Sequence, residues 1–412
     1  MTLHHHIPSV MICERYPLSK PQLIKLKSVE EFESYLKTHC CMFDIKLYNV
    51  RPKLYQDHPL SASKCYLMKN QIEDNGRIVS ADELVTSINE IDYKILKDFY
   101  EWDDYVIYNF RIMLKGYLPT SFVKAILKLY ELKTTLKGSS DIDDIVRYMN
   151  AKGQLNSAYG MCVTSIIQQD RQYINGEWVV KEPNIKEIFD KYNKSKSRFL
   201  YYAWGIWVTS YARRNLFLGI QAVGKDYIYA DTDSIKIRNG EKHLPWINKY
   251  NEWVKSKMMK AMAFHKLDFE MCEPKTIKGE PKLLGVWDFD GHYKKFKTLG
   301  AKRYMYLDDK DEYHLTCSGV SKKAIKYIIS ESQKRGINPF DLFDNNLYIP
   351  KNETGKNIHT YIDYEMNGYV TDYLGNTSSY HELSGCHLEP SEYTLSLSKN
   401  YLKYLMGVQQ LK

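Results

Sequence analysis

Apolar positions recur along the chain at two spacings, and the places where one gives way to the other divide it. Residues 25–80 mix short apolar–polar alternations, as in Phe43-Asp44-Ile45-Lys46-Leu47, with turn residues, and predict a small β-rich insertion. Leu84, Ile88, Ile91, Ile95 and Phe99 recur at helical spacing and predict a helix from Asp82 to Tyr100. Pro119-Thr120-Ser121 caps a second helix through Ile126 and Tyr130 to about Leu136, and Gly138 stops it. Ser140 with Asp143 three residues on makes a capping-box pattern and opens a third helix, with Ile142, Ile145, Val146 and Met149 on one face. These two helices are expected in antiparallel order, joined by a tight Gly-Ser-Ser link. A polar stretch over 164–197 follows, then an aromatic-rich helix over 199–219. Tyr227-Ile228-Tyr229-Ala230 reads as a strand, Asp231-Thr232-Asp233-Ser234 as a carboxylate-rich turn, and Ile235-Lys236-Ile237 as the returning strand. Beyond 320 the pattern is mixed and turn-rich, and it ends in an amphipathic helix near 398–406.

Composition narrows the class. The 412 residues allow two or three domains at about 150 residues each. With 44% hydrophobic and 26% charged residues, wholesale disorder and fibrous repeats are excluded. The basic excess, 58 − 50 = +8, suits a polyanionic partner. The 35 tyrosines fit either codon usage in an A/T-rich genome or stacking faces for bases, and composition does not choose between them. Eight scattered cysteines (13, 40, 41, 65, 162, 272, 317 and 386) form no CxxC pair and point to free thiols in a reducing compartment. The first twenty residues include Arg15 and no apolar run of signal-peptide length. The longest apolar stretch, Phe199 to Ala212, falls short of the roughly 20 residues that span a bilayer. A soluble, intracellular protein is expected.

Two segments carry candidate chemistry. In Tyr-Ala-Asp-Thr-Asp-Ser (229–234), carboxylates at i and i+2 on a hairpin tip project to one side and can share hard divalent cations. Two such cations about 4 Å apart are the apparatus of phosphoryl transfer. Taken alone, the tripeptide is more commonly a solvated turn. In Lys-Gly-Gln-Leu-Asn-Ser-Ala-Tyr-Gly (152–160), Lys152, Asn156 and Tyr159 fall at i, i+4 and i+7 on one helix face. A cation, an amide and an aromatic on one stripe can meet a triphosphate, a sugar and a base. An exposed lysine above a partly buried tyrosine explains the same pattern equally well.

Together, KxxxNSxYG and a Tyr-x-Asp-Thr-Asp-Ser hairpin some seventy residues later resemble the B and C motifs of family B DNA polymerases. Lys302-Arg303-Tyr304, following Lys294, Lys295 and Lys297, resembles the family's K-x-Y motif. Tyr130-Glu131-Leu132-Lys133-Thr134-Thr135 and Gly205-Ile-Trp-Val-Thr-Ser-Tyr-Ala-Arg-Arg214 are similar to segments of its compact, protein-primed bacteriophage branch. The resemblance implies an α+β right-hand polymerase fold: palm with antiparallel sheet, two-helix fingers, and thumb. It divides the chain into an N-terminal palm segment (1–118, insertion at 25–80), fingers (119–163), palm with an insertion at 164–197 (164–305), and thumb (306–412). It implies a DNA-directed DNA polymerase in which Asp233 and Asp231 are catalytic metal ligands for two Mg2+ ions, or Mn2+. Lys133 and Lys152 would hold the incoming triphosphate, and Asn156 and Tyr159 would line the nucleotide pocket. Lys302, Arg303, Tyr304, Lys294 and Lys295 would contact DNA. The implied partners are primer–template DNA, dNTPs and a terminal protein primer, with no membrane, in the cytoplasm of a host cell.

Two departures stand out. The family's upstream 3′–5′ exonuclease has no room here. The A motif, Asp-x-x-Ser-x-Tyr-Pro, survives only at its end as Pro8-Ser9-Val10-Met11, because Thr2 to Ile7 contain no carboxylate. A two-metal site short of one aspartate is expected to be impaired. His4, His5 and His6 are a poor substitute, since imidazole suits zinc or copper better than magnesium. The rival reading is a non-catalytic DNA-binding or replisome-interaction protein on a degenerate polymerase fold. Shifting the reading frame offers another origin for the gap: if Thr2 is ACT, Leu3 is TTA and each His codon is CAT, the same DNA read from the third base of the Met codon spells Asp-Phe-Thr-Ser-Ser-Tyr, and dropping one base rejoins the frame at Pro8. A polymerase gene that extends upstream in that frame is the expectation.

Overall fold

The computed structural model describes residues 1–3, 5–53, 58–74, 76–167, 169–174, 177–196, 201–362, 366–371, 377–382 and 385–395, without the side chains of 170–178 and 357–390. The amphipathic helix expected near 398–406, His4, the first residues of the helix expected from 199, and the Cys386 side chain lie outside this set. The chain forms two compact units: residues 1–164 with 199–291, and residues 165–198 with 292–397.

The first unit opens with strand β1 (Thr2–Leu3) and helix α1 (His6–Cys13), whose side chains are almost all buried. A meander of long antiparallel strands follows: Cys40–Pro52 lies between Arg77–Asn89 and Asp104–Met113. This is the expected β-rich segment, preceded by the helix Val29–Thr38. The helix expected from Asp82 begins only at Glu90, because the Asn89 side chain accepts the Ile91 and Asp92 N–H groups and caps it there. Leu84 and Ile88, read as one helix face, satisfy period two as well. They sit in the strand opposite Leu47 and Phe43.

Helix α2 (Thr120–Thr135) and helix α3 (Ile142–Val163) form the expected hairpin. One detail differs from expectation. The cap of α3 is Asp141, bonded to the Asp144 N–H, because Ser139 and Asp144 tie the link one residue later. The face carrying Ile142, Ile145, Val146 and Met149 is exposed, and Ala151, Leu155, Ala158 and Cys162 are buried. The buried stripe follows small and medium side chains that let the helix approach its neighbours.

Helix α4 (Tyr202–Val223) runs through the core. A Cβ on Gly219 would lie 2.6 Å from Ile235 Cδ1 and 2.8 Å from Trp287 Cζ2, so glycine allows this close approach of helix to sheet. The helix is pinned by hydrogen bonds from Trp207 Nε1 to the fully buried Glu90, and from Arg213 to Asp92 at two points. Arg214 and Lys257 both meet the buried Glu14 carboxylate. The two arginines of the Gly205–Arg214 segment are therefore both engaged in ion pairs, Arg214 largely covered and Arg213 partly exposed. Strands β2 (Tyr227–Asp231) and β3 (Ser234–Ile237) form the expected hairpin, followed by helix α5 (Leu244–His265) and strand β4 (Trp287–Asp288). The sheet order is β2-β3-β1-β4.

The second unit holds the antiparallel sheet β5 (Tyr293–Thr298), β6 (Arg303–Asp308) and β7 (Tyr313–Cys317). Met305, Leu315 and Cys317 face a core shared with helix α6 (Ile325–Arg335), Phe340 and Phe343. Strand β6 spans the palm–thumb boundary expected at 305. The 165–198 segment, polar in sequence, forms the hairpin Asp170–Ile174/Glu177–Lys181 and the helix Ile185–Lys194. Among the described residues seven cysteines are free, and no helix is long and apolar enough to cross a membrane.

Candidate functional site

The β2–β3 hairpin turns through a two-residue loop, Thr232 and Asp233, with Thr232 at φ 56°. The loop is held by the Asp233 N–H donating to the Asp231 carbonyl at 2.7 Å, and by the Ser234 hydroxyl donating to the same carbonyl. Asp231 and Asp233 thus share one hairpin tip, as the sequence spacing implies. The Asp233 carboxyl is held above the ordinary carboxylate range, first by burial and then by the neighbouring Asp231 and Asp290 charges. Crowded, part-desolvated carboxylates of this kind are what a hard divalent cation relieves, so the donor set fits one.

Strand β1 lies beside this hairpin. Leu3 N–H donates to the Asp233 carbonyl at 2.6 Å, and Ile235 N–H donates to the Met1 carbonyl at 2.9 Å. In register, Asp231 faces Ser234, Ser234 faces Thr2, and Thr2 faces Asp288. These four form one cross-strand row with side chains on a common face. Thr2, six residues before Pro8, stands in the sheet next to β3. Nearby, Asp290 pairs with the buried Lys236 at 3.1 Å. The sequence offered a weak sign of Asp290, the alternation Trp287-Asp288-Phe289-Asp290.

Lys133 is buried on α2, and its ammonium is pushed down to about 8 by desolvation first, then by Lys137 and Lys152. His5, at φ 48° ahead of α1, meets Lys133 through Nε2 and packs edge-on against Tyr130 at 5.3 Å. Leu3 and His5 are two residues apart, a reach of about 7 Å at most. The same short segment therefore ties the Asp233 loop to the Lys133 ammonium. No sequence signal marks His5 for this contact, since it arises across 128 residues.

Lys152 and Asn156 are exposed on α3, with the Lys152 ammonium 5.9 Å from the Tyr148 ring centre. Tyr159 is half-buried one turn further on, its hydroxyl pKa raised by burial. Among the described residues, neither His5 nor His6 joins a cluster of metal-ligating side chains. His6 is buried, its Nε2 has no partner among the described residues, and burial followed by Arg214 pushes its pKa down to about 3.

The remaining sequence-predicted residues stand in the second unit. Lys302 occupies the β5–β6 turn at φ 54°, Arg303 pairs across to Cys317, and the Tyr304 ring stacks on Phe296 at 5.3 Å. Lys294 pairs with Asp311 at 2.7 Å, and Lys295 lies over the Phe340 ring.

No protein-family profile matches the chain. A DNA polymerase of Bacillus phage PZA is 23% identical over 357 residues, which is 80% of this chain and 52% of that protein. Among solved structures, Phi29 DNA polymerase in an orthorhombic crystal form superposes with a TM-score of 0.56 at 14% identity, over 96% of this chain and 57% of that one. The ternary complex of Phi29 DNA polymerase with primer–template DNA and incoming nucleotide gives 0.54 at 13% identity, with the same coverages. The chain spans about half the length of these relatives. The resemblance and the polymerase fold read from the motifs are borne out.

Proposed function

We propose that this chain is the polymerising portion of a protein-primed, family B-type DNA polymerase that carries out template-directed nucleotidyl transfer. The observation that carries this reading is the segment Leu3–His5, which joins the Asp231/Asp233 hairpin to the cationic face of the α2–α3 pair. In it, residues 119–163 are fingers, the parts of 1–118 and 164–305 outside the insertions are palm, and 306–412 are thumb. Asp231 and Asp233 hold divalent cations, Mg2+ or Mn2+. When bound there, such ions supply charge stabilisation for the transferring phosphoryl group and lower the pKa of the attacking hydroxyl.

Lys133 and Lys152 bind the triphosphate. The burial that lowers the Lys133 pKa also strengthens its attraction for phosphate oxygens, because the local dielectric is low. Asn156 and Tyr159 line the nucleotide pocket. Lys302, Arg303, Tyr304, Lys294 and Lys295 face the primer–template duplex, and the host cytoplasm is the place of action. Thr2 in the A-motif position supports an impaired enzyme, and it equally supports the second reading, a DNA-binding protein on a polymerase fold.

Fluorescence anisotropy with primer–template DNA tests the part common to both. Binding is expected to weaken steeply with salt, because phosphate contacts release counterions. Lys302→Ala should weaken it, and Asp233→Asn should leave it nearly unchanged. Absence of salt-sensitive DNA binding would overturn both readings.

A further inference from the structure

We infer that Asp308, Glu312 and His314, at the tip of the β6–β7 hairpin, form a divalent cation site of zinc type. Strand alternation sets it up. Tyr306 pairs directly across from His314, so Tyr306, Asp308, Glu312 and His314 fall on one face of the hairpin. The opposite face, with Met305 and Leu315, packs into the core. One ligand atom from each of Asp308, Glu312 and His314 lies within 4.8 Å of the other two.

The ligands are held in place. Asp308 Oδ1 accepts the Lys310 and Glu312 N–H groups at 2.9 Å each, leaving Oδ2 toward His314 Nε2 at 2.7 Å. The His314 ring is fixed by stacking on Tyr306 at 4.6 Å and 17°. The other carboxylates of the turn are engaged elsewhere, Asp309 with His292 and Asp311 with Lys294. Glu312 is exposed, and its carboxylate has no partner among the described residues.

Two ligands each about 2.0–2.1 Å from a tetrahedral ion stand roughly 3.4 Å apart. Opening the 2.7 Å contact to that width takes only small side-chain rotations. The ion replaces the Nε2–Oδ2 hydrogen bond, the imidazole proton resides on Nδ1, and water completes the shell. One imidazole with two carboxylates favours Zn2+ over Mg2+. The site lies within the second unit and is independent of the Asp231/Asp233 hairpin.

Calorimetric titration of the whole chain with Zn2+ at neutral pH tests it, with Mg2+ in parallel and circular dichroism as the check on folding. In a chain that also carries Asp231→Asn and Asp233→Asn, so that the other hairpin holds no cation, one Zn2+ should bind more tightly than Mg2+, and affinity should fall at least tenfold when either His314→Ala or Glu312→Gln is added. Glu312→Gln alters an exposed side chain and keeps the test valid if His314→Ala disturbs the hairpin. No saturable Zn2+ binding, or binding that survives either substitution in a folded chain, overturns the assignment.

Discussion

Replacing Lys133 by methionine should make the protein more stable and worse at holding nucleotide. The ammonium is buried, and its pKa falls from the ordinary 10.5 to about 8. At 1.36 kcal/mol per pKa step, keeping that charge in the folded chain costs up to about 3 kcal/mol near neutral pH. The unfolded chain binds the proton more tightly, so the cost is fully present below pH 8 and is recovered between pH 8 and 10.5. Methionine keeps the apolar stem and removes the charge. Its gain is reduced by about 1 kcal/mol for the imidazole of His5, which loses its partner. A net stabilisation of roughly 1–2 kcal/mol is expected in urea unfolding at pH 7, shrinking toward zero at pH 10. Equilibrium dNTP binding in the presence of primer–template should weaken about 10- to 100-fold, the worth of one charge-assisted contact. A destabilised Lys133→Met chain, or unchanged dNTP affinity, would refute the argument that burial primes this lysine for phosphate.

Two further outcomes follow from the same packing. Burial lowers the His6 pKa to about 3, so the unfolded chain takes up a proton that the folded chain refuses; stability should fall as pH drops from 6.5 toward 3, and His6→Leu should flatten that slope in urea titrations. Gly219→Ala places a methyl against Ile235 and Trp287 and should cost about 1–3 kcal/mol in unfolding, despite the gain of about 1 kcal/mol in helix propensity.

What was legible in the sequence was local. The Asp231–Ser234 hairpin and the α2–α3 pair depend on short loops and nearby caps, and both formed where the pattern put them. The helix expected from Asp82 starts later because Leu84 and Ile88 satisfy two periods, and only pairing with Cys40–Pro52 selects the strand. Which face of α3 meets the core is not set by hydrophobicity alone: Ile142, Ile145, Val146 and Met149 are exposed, and close packing takes Ala151, Leu155 and Ala158. Contacts that cross the chain, His5 with Lys133 and Arg214 with Glu14, leave no mark in local spacing. Thr2 lies between these cases: the lack of a carboxylate before Pro8 is visible in the sequence, and only the sheet puts Thr2 beside Ser234.

Primer extension measures the central claim most directly, in the chain as it stands and in a variant carrying Thr2→Asp, Leu3→Phe, His4→Thr, His5→Ser, His6→Ser and Ile7→Tyr. Both should bind primer–template DNA alike. The unaltered chain should extend the primer at a negligible rate, the variant should extend it with Mg2+, and adding Asp233→Asn should abolish that extension. Robust extension by the unaltered chain, or extension that survives Asp233→Asn, would contradict the account.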